Sequence, residues 1–107
     1  MADEANVVSI VNFNVTAQNI ERVIRHARGL LQDIAPALQG FIEGVLLTSE
    51  DETQIVLMAH WKSRDAWARA EWNEQVARGV AELYEETASY TIKVFHEVAQ
   101  ATRREMT

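Results

Sequence analysis

Gln54-Ile-Val-Leu-Met-Ala-His-Trp61-Lys-Ser63-Arg-Asp-Ala66-Trp67 changes its hydrophobic period partway along, and that change decides the fold. Ile55, Leu57 and Ala59 alternate with Val56 and Met58, so the first half reads as a strand that is apolar on both faces. Trp61 ends it. Ser63 or Asp65 then stands in the N-cap position of a helix, where a short side-chain oxygen accepts from an orphaned backbone N–H. A large indole is thereby placed where a strand hands over to a helix, a position that serves either as core or as the wall of a small-molecule cavity.

Upstream, Glu50-Asp-Glu-Thr53 separates this strand from a second apolar run, Phe41 to Ser49, a hairpin signal without the Asn-Gly pair that would fix the turn type. Val7 to Val15 reads as the first strand, with Val8, Ile10, Asn12 and Asn14 on one face and Val7, Ser9, Val11, Phe13 and Val15 on the other. From about Asn19 the period changes: Ile20, Val23, Ile24, Ala27, Leu30, Leu31, Ile34 and Leu38 follow helical spacing, and Pro36 predicts the end of that helix. His26, on its outer side beside Arg22, is expected to be solvated. Downstream, the helix capped by Ser63 or Asp65 is expected to reach about Glu86, with Ala66, Ala70, Val76, Ala77, Val80, Leu83 and Tyr84 as a narrow packing stripe. Glu74 and Arg78 are spaced to pair on its surface. The last strand, about Ser89 to Val98, alternates Tyr90, Ile92, Val94 and His96 against Thr91, Lys93, Phe95 and Glu97, and a polar tail runs from Ala99 to Thr107.

Strand-helix-strand-strand-helix-strand predicts an α+β, ferredoxin-like βαββαβ sandwich, a four-stranded antiparallel sheet with both helices on one face. One domain is expected over residues 1–107, with its core in about 6–98. The helices can cover only one side of the central strands, which are apolar on both. At about 25 cal/mol per Å² of apolar surface, a few hundred Å² left wet is worth several kcal/mol to a small domain. A symmetric homodimer with two sheets face to face is therefore expected.

Composition removes several function classes. A formal charge of −6 with only ten Lys and Arg residues argues against a nucleic-acid or anionic-membrane partner. With no cysteine, disulfides, thiolate metal sites and a thiol nucleophile are excluded. The three histidines, His26, His60 and His96, lack a short ligand spacing, so no metal site is expected. No basic and apolar leader opens the sequence and no apolar run has transmembrane length, which makes a cytoplasmic protein the expectation.

Asn12 late in the first strand, Gln39-Gly40-Phe41 opening the second, the hairpin, and the passage Ala59-His60-Trp61-Lys62-Ser63 to Ala66 make the chain resemble the antibiotic biosynthesis monooxygenase family over about residues 6–98. The resemblance implies a homodimeric ferredoxin-like fold, the dimeric α+β barrel, with a cavity between sheet and helices in each subunit. It implies a monooxygenase that oxidises an electron-rich aromatic substrate (an anthrone, a quinol or a polyketide) with O2, using neither metal nor flavin and no other cofactor. The pattern of the cofactor-free oxygenases has an Asn on the first strand, a Trp ending the third and a second Asn four residues before that Trp. Asn12 and Trp61 match the first two and become candidate catalytic residues; Leu57, which cannot hydrogen-bond, holds the third place. Leu57, expected to lie across from Asn12, is a candidate substrate contact together with Trp67 and Trp72. The heme-degrading branch binds iron through a His on the second helix, and Arg69-Ala-Glu71-Trp72-Asn73-Glu-Gln75 offers none.

Read from the residues alone, such chemistry needs an apolar pocket, a donor such as the Asn12 amide to stabilise charge on the substrate oxygen, and an indole N–H such as that of Trp61. His60 or His96 could accept the first proton. Each has a structural alternative: Trp61 and Trp67 as core or rim, Asn12 as a buried hydrogen bond or an exposed residue, His60 as part of the dimer interface. Besides the monooxygenase, two readings stay open: a non-catalytic dimer that binds a small apolar ligand, and a heme-binding protein.

Overall fold

Four strands and three helices follow in the order β1 (Val7–Asn14), α1 (Ile20–Gly29), β2 (Phe41–Thr48), β3 (Gln54–Trp61), α2 (Arg64–Glu71), α3 (Glu74–Glu86) and β4 (Ser89–His96) in the computed structural model. It describes residues 6–87 and 89–104; the acidic Met1–Ala5 and the last three residues of the tail lie outside the described residues. The strands form one antiparallel sheet in the order β2-β3-β1-β4, the ferredoxin-like arrangement. β1 and β3 therefore occupy the centre, where the apolar alternation of both sequences is used.

Register assigns every strand residue to a face. β1 pairs with β3 through Val7–Trp61, Ser9–Ala59, Val11–Leu57 and Phe13–Ile55, and with β4 through Val7–His96, Ser9–Val94, Val11–Ile92 and Phe13–Tyr90. Directly opposed residues share a face. That set lies under the helices, while Val8, Ile10, Asn12, Val56, Met58, His60, Lys93 and Phe95 form the opposite, open face. Asn12 stands across from Val56 and Thr91, not across from Leu57 as the sequence suggested. A one-residue difference in register moves a side chain through the sheet, so the two are on opposite sides of it.

β2 carries a bulge. Phe41 pairs with Trp61 and Glu43 with His60, leaving Ile42 without a partner on β3. The extra residue turns Phe41 towards the helices, where its ring meets that of Trp61 edge-on at 5.4 Å and 73°, and still sends Glu43 to the open side. Just before the bulge, Gly40 has φ +86°, a conformation that costs glycine nothing, and its carbonyl accepts from the Lys62 N–H at 2.8 Å.

The hairpin between β2 and β3 is held by side chains in place of Asn-Gly. Ser49 Oγ accepts from the backbone N–H groups of Thr53 and Gln54 at 3.1 and 3.0 Å and donates to Asp51 Oδ1 at 2.8 Å. Donation from the Ser49 and Thr53 hydroxyls, followed by the Thr53 N–H, lowers the Asp51 carboxyl below its ordinary value. Glu52 takes the turn's positive φ of 61°.

Two stretches differ from the helical reading. The first helix is α-helical only to Gly29, widens to a π turn over Leu30–Ile34 and tightens to a 3-10 turn over Ala35–Ala37, where Pro36 ends the helical path. The expected long second helix is two. α2 starts on Ser63, whose Oγ accepts from the Ala66 N–H at 3.1 Å, and stops at Glu71; α3 starts afresh on Asn73, whose Oδ1 accepts from Gln75 and Val76. Asn73 holds the non-helical N-cap backbone conformation, which is what breaks the run. His26 is not simply solvated: it and Arg22 both meet the Glu86 carboxylate, at 2.9 and 3.3 Å, tying α1 to the end of α3. Glu74 and Arg78 pair at 3.3 Å on the exposed side of α3.

Candidate functional site

The buried apolar residues fall into two clusters and not one. Phe13, Val15, Ile20, Val23, Ala27, Leu30, Ile55 and Leu83 make the larger; Val7, Trp61, Ala66 and Ala70 make the smaller at the other end of the sheet. Between them the facing side chains are small: Ser9 and Ala59 from the sheet, Ala35, Ala77 and Ala81 from the helical layer. Small groups meeting small groups cannot fill the space between layers. What remains is a cavity of about 420 Å³, with Trp61 and Phe41 at one end and Tyr84 at the other. This is within the usual size range of small-molecule pockets, about 300 to 1,000 Å³.

The π turn shapes the roof. Consecutive Leu30 and Leu31 and then Ala35, five residues after Leu30, all reach the cavity, a spacing that a wider helical turn allows. Leu57 and Val11 form its floor, and Trp67 stands on the α2 side with the Arg64 guanidinium 5.1 Å from its ring centroid. Where the helices leave β4 uncovered, Ile92 is 39% exposed and the cavity meets the surface.

Few polar groups reach it. Trp61 is 6% exposed, and its indole Nε1–H donates to Ser9 Oγ at 3.1 Å, both residues being buried. Glu71, the last residue of α2, is exposed and supplies the lining's one formal charge among the described residues. Tyr84 stacks on Tyr90 with centroids 3.6 Å apart and planes at 3°. Burial raises its phenol above the ordinary value of 10.0, and the charges of Tyr90 and Glu71 push it further the same way. At neutral pH it is a neutral donor. The same shift makes folding sensitive to alkali. The folded state resists deprotonation more than the unfolded chain does, so the stabilisation is whole below pH 10 and is lost as pH climbs through the folded value. Tyr84→Phe should flatten that part of a urea-denaturation series run between pH 9 and 11.5, and an unchanged slope would sink the assignment.

Of the residues picked out from the sequence, Trp61, Leu57 and Trp67 come together here. The others do not. Asn12 is on the open face, its Oδ1 buried and without a hydrogen-bond partner among the described residues. Trp72, expected as a substrate contact, is 88% exposed in the turn between α2 and α3, because the helix breaks there. His60, a possible base, is also on the open face, in a depression where Nε2 is 3.3 Å from Glu97 and Nδ1 is 3.8 Å from Glu43. His96, the other possible base, is exposed on the edge strand β4 and does not line the cavity. Ser9, Glu71 and Tyr84 went unremarked as site residues. Ser9 carried a signal, being the one polar side chain among Val7, Val11, Phe13 and Val15 on its face; Glu71 carried none, since its place depends on the helix break.

Similar structures share this architecture. A monooxygenase from Streptomyces coelicolor, solved in complex with nanaomycin D, superposes with a TM-score of 0.82 at 18% identity, covering 96% of each chain. Rv0793 from Mycobacterium tuberculosis gives 0.81 at 17% identity over 92% of this chain and 100% of that one. At these identities the likeness shows the fold. A comparison with curated proteins returns no significant match. Sequence alone goes further: the family model for antibiotic biosynthesis monooxygenases matches residues 6–82, from the start of β1 to within α3, and so takes in nearly all of the cavity wall. The chain belongs to the antibiotic biosynthesis monooxygenase family.

Proposed function

We propose that the protein is a cofactor-independent monooxygenase that oxidises an electron-rich aromatic substrate with O2 in the cavity between sheet and helices. The observation that carries this reading is the cavity itself: about 420 Å³, walled by indole, phenyl and aliphatic groups, with one formal charge among the described residues, at an exposed position. Reaction of O2 with an organic molecule requires electrons, and here the substrate's own carbanion or phenolate supplies them. One oxygen atom enters the substrate and the other leaves as water. A site of this kind has to exclude bulk water, hold the ring and stabilise charge on a substrate oxygen. Family membership and the similarity to the Streptomyces coelicolor monooxygenase support the assignment.

The working unit in this proposal is a homodimer closed over the open sheet faces. Val45, Leu47 and Phe95 are 43%, 46% and 45% exposed on the described chain, and the Asn12 Oδ1 beneath the same face lacks a donor. A second copy would cover the first group and could satisfy the second.

Oxygen uptake with dithranol as the electron-rich probe tests the proposal. The wild type should consume O2 well above the buffer rate and yield the quinone. Leu57→Trp, which fills the cavity floor, should lower the rate at least about tenfold, since misplacement of reactants by about 1 Å is already costly. Uptake indistinguishable from buffer would overturn the catalytic reading. One observation favours an alternative, a non-catalytic dimer that holds a small apolar ligand: the Trp61 N–H is already spent on Ser9 and Asn12 faces away, so neither donor anticipated for catalysis is free in the cavity.

A further inference from the structure

The geometry points to the Ser9 hydroxyl as the group that fixes a ligand's oxygen in this cavity, with Trp61 as the residue that positions it. The inference rests on the cavity reading above and goes beyond it, because it assigns the polar anchor to a residue outside the pair expected from the resemblance.

A serine hydroxyl has two acceptor lone pairs and one proton to donate. In Ser9 one lone pair accepts from Trp61 Nε1–H at 3.1 Å. The proton has no acceptor among the described residues. Ser9 is only 6% exposed and is a wall of the cavity, so the hydroxyl is withdrawn from bulk water and its proton's remaining outlet is the cavity. A carbonyl or phenolate oxygen of a ligand held in the cavity would accept that proton.

Trp61 adds two effects. Its N–H fixes the rotamer of Ser9 by occupying one side of the oxygen, and donation into that oxygen polarises the O–H bond and strengthens its own donation. The ring is held in turn by Phe41 at 5.4 Å and by burial against Val7, Ala66 and Ala70. Ser9 also stands beside Ala59 on β3 and Val94 on β4, neither of which competes for the proton through its side chain. The remaining polar side chains of the lining, on Glu71, Trp67 and Tyr84, come from the helices, so among the described residues the sheet side has Ser9 as its one hydroxyl. A flat ligand lying on Val11 and Leu57 would thus be oriented with its oxygen towards Ser9.

A matched pair of probes separates this claim from the claim that the cavity binds anything. 9-Fluorenone and fluorene have the same three-ring frame and differ by a carbonyl in place of a methylene. Equilibrium dialysis of the wild type should show fluorenone bound about five- to tenfold more tightly than fluorene, the worth of one net hydrogen bond. Because Ser9→Ala alone frees the Trp61 N–H to take the hydroxyl's place, the Ala substitution is made on Trp61→Phe: the double variant should bind both probes equally, while Ser9→Thr, which keeps a hydroxyl, should keep the preference. Trp61→Phe should retain a reduced preference, since the hydroxyl stays but loses its positioning donor. Far-UV circular dichroism and thermal melts identify variants that are folded, and the Thr variant keeps the test open if the Ala variant is not. Equal binding of the two probes by the wild type, or a Trp61→Phe preference that survives the added Ser9→Ala, overturns the role of Ser9 and leaves the cavity reading standing. Failure to bind either probe overturns both.

Discussion

Gly40→Ala should be the most damaging small substitution in this chain, costing roughly 3 to 5 kcal/mol, the sum of left-handed backbone strain and an overpacked contact. Gly40 sits at φ +86°, and a Cβ built there would overlap that of Ala66 on α2. Neither neighbour can yield cheaply. Ala66 is 2% exposed in the cluster around Trp61, and the Gly40 carbonyl is committed to Lys62 N–H at 2.8 Å. Against a total stability of about 5 to 15 kcal/mol for a small domain, the loss should lower the melting temperature by about 15 °C or more. A urea midpoint close to that of the wild type would show that the approach of β2 to α2 is looser than described.

Trp61→Ala should have the second large effect, and on two readouts at once. The indole is 6% exposed, and its removal deletes one of the largest buried side chains, a change that costs about 3 to 5 kcal/mol in stability. It also opens the cavity's end wall and leaves Ser9 without its donor. Under the proposed function, dithranol-dependent oxygen uptake should fall by about two orders of magnitude, because Ser9 loses its positioning partner and the substrate loses a wall, and misplacement of bound reactants by about 1 Å already costs that much. Trp61→Phe separates the contributions. It keeps most of the wall and should cost only about 1 to 3 kcal/mol, chiefly from the unpaired Ser9 oxygen and lost volume. If Trp61→Ala is both stable and as active as the wild type, the indole neither walls the cavity nor positions Ser9.

The architecture was largely legible because each strand announced its own faces. The alternation of Val7, Ser9, Val11 and Phe13 against Val8, Ile10 and Asn12 is the division seen in the sheet, and counting back from Trp61 in twos puts Leu57 and Ala59 on its side. What local alternation does not contain is the register between strands, which depends on the turn and on the crossover helix. The placing of Asn12 opposite Leu57 failed there, one residue from the observed pair with Val56. The second helix misled for a different reason. Apolar spacing continues from Ala66 to Leu83, so period alone runs through Trp72, and only the capping ability of Asn73 hints at the break. Trp72 was misjudged with it. The cavity itself arises from small residues on four separate segments, Ser9, Ala35, Ala59 and Ala77 among them, and no single window of sequence shows that they meet.

The unpaired Ile42 in β2 makes this one point of the chain forgiving of a change in length. Deleting it would leave Phe41–Trp61, Glu43–His60 and Gly44–Ala59 as consecutive rungs, so each later side chain keeps its side. Loss of one residue farther on, at Val45 for instance, would exchange inside for outside along the rest of the strand up to the hairpin. Natural drift in the spacing between the first helix and the hairpin, and any engineered graft at that junction, can therefore be absorbed at Ile42 without disturbing the ladder beyond it.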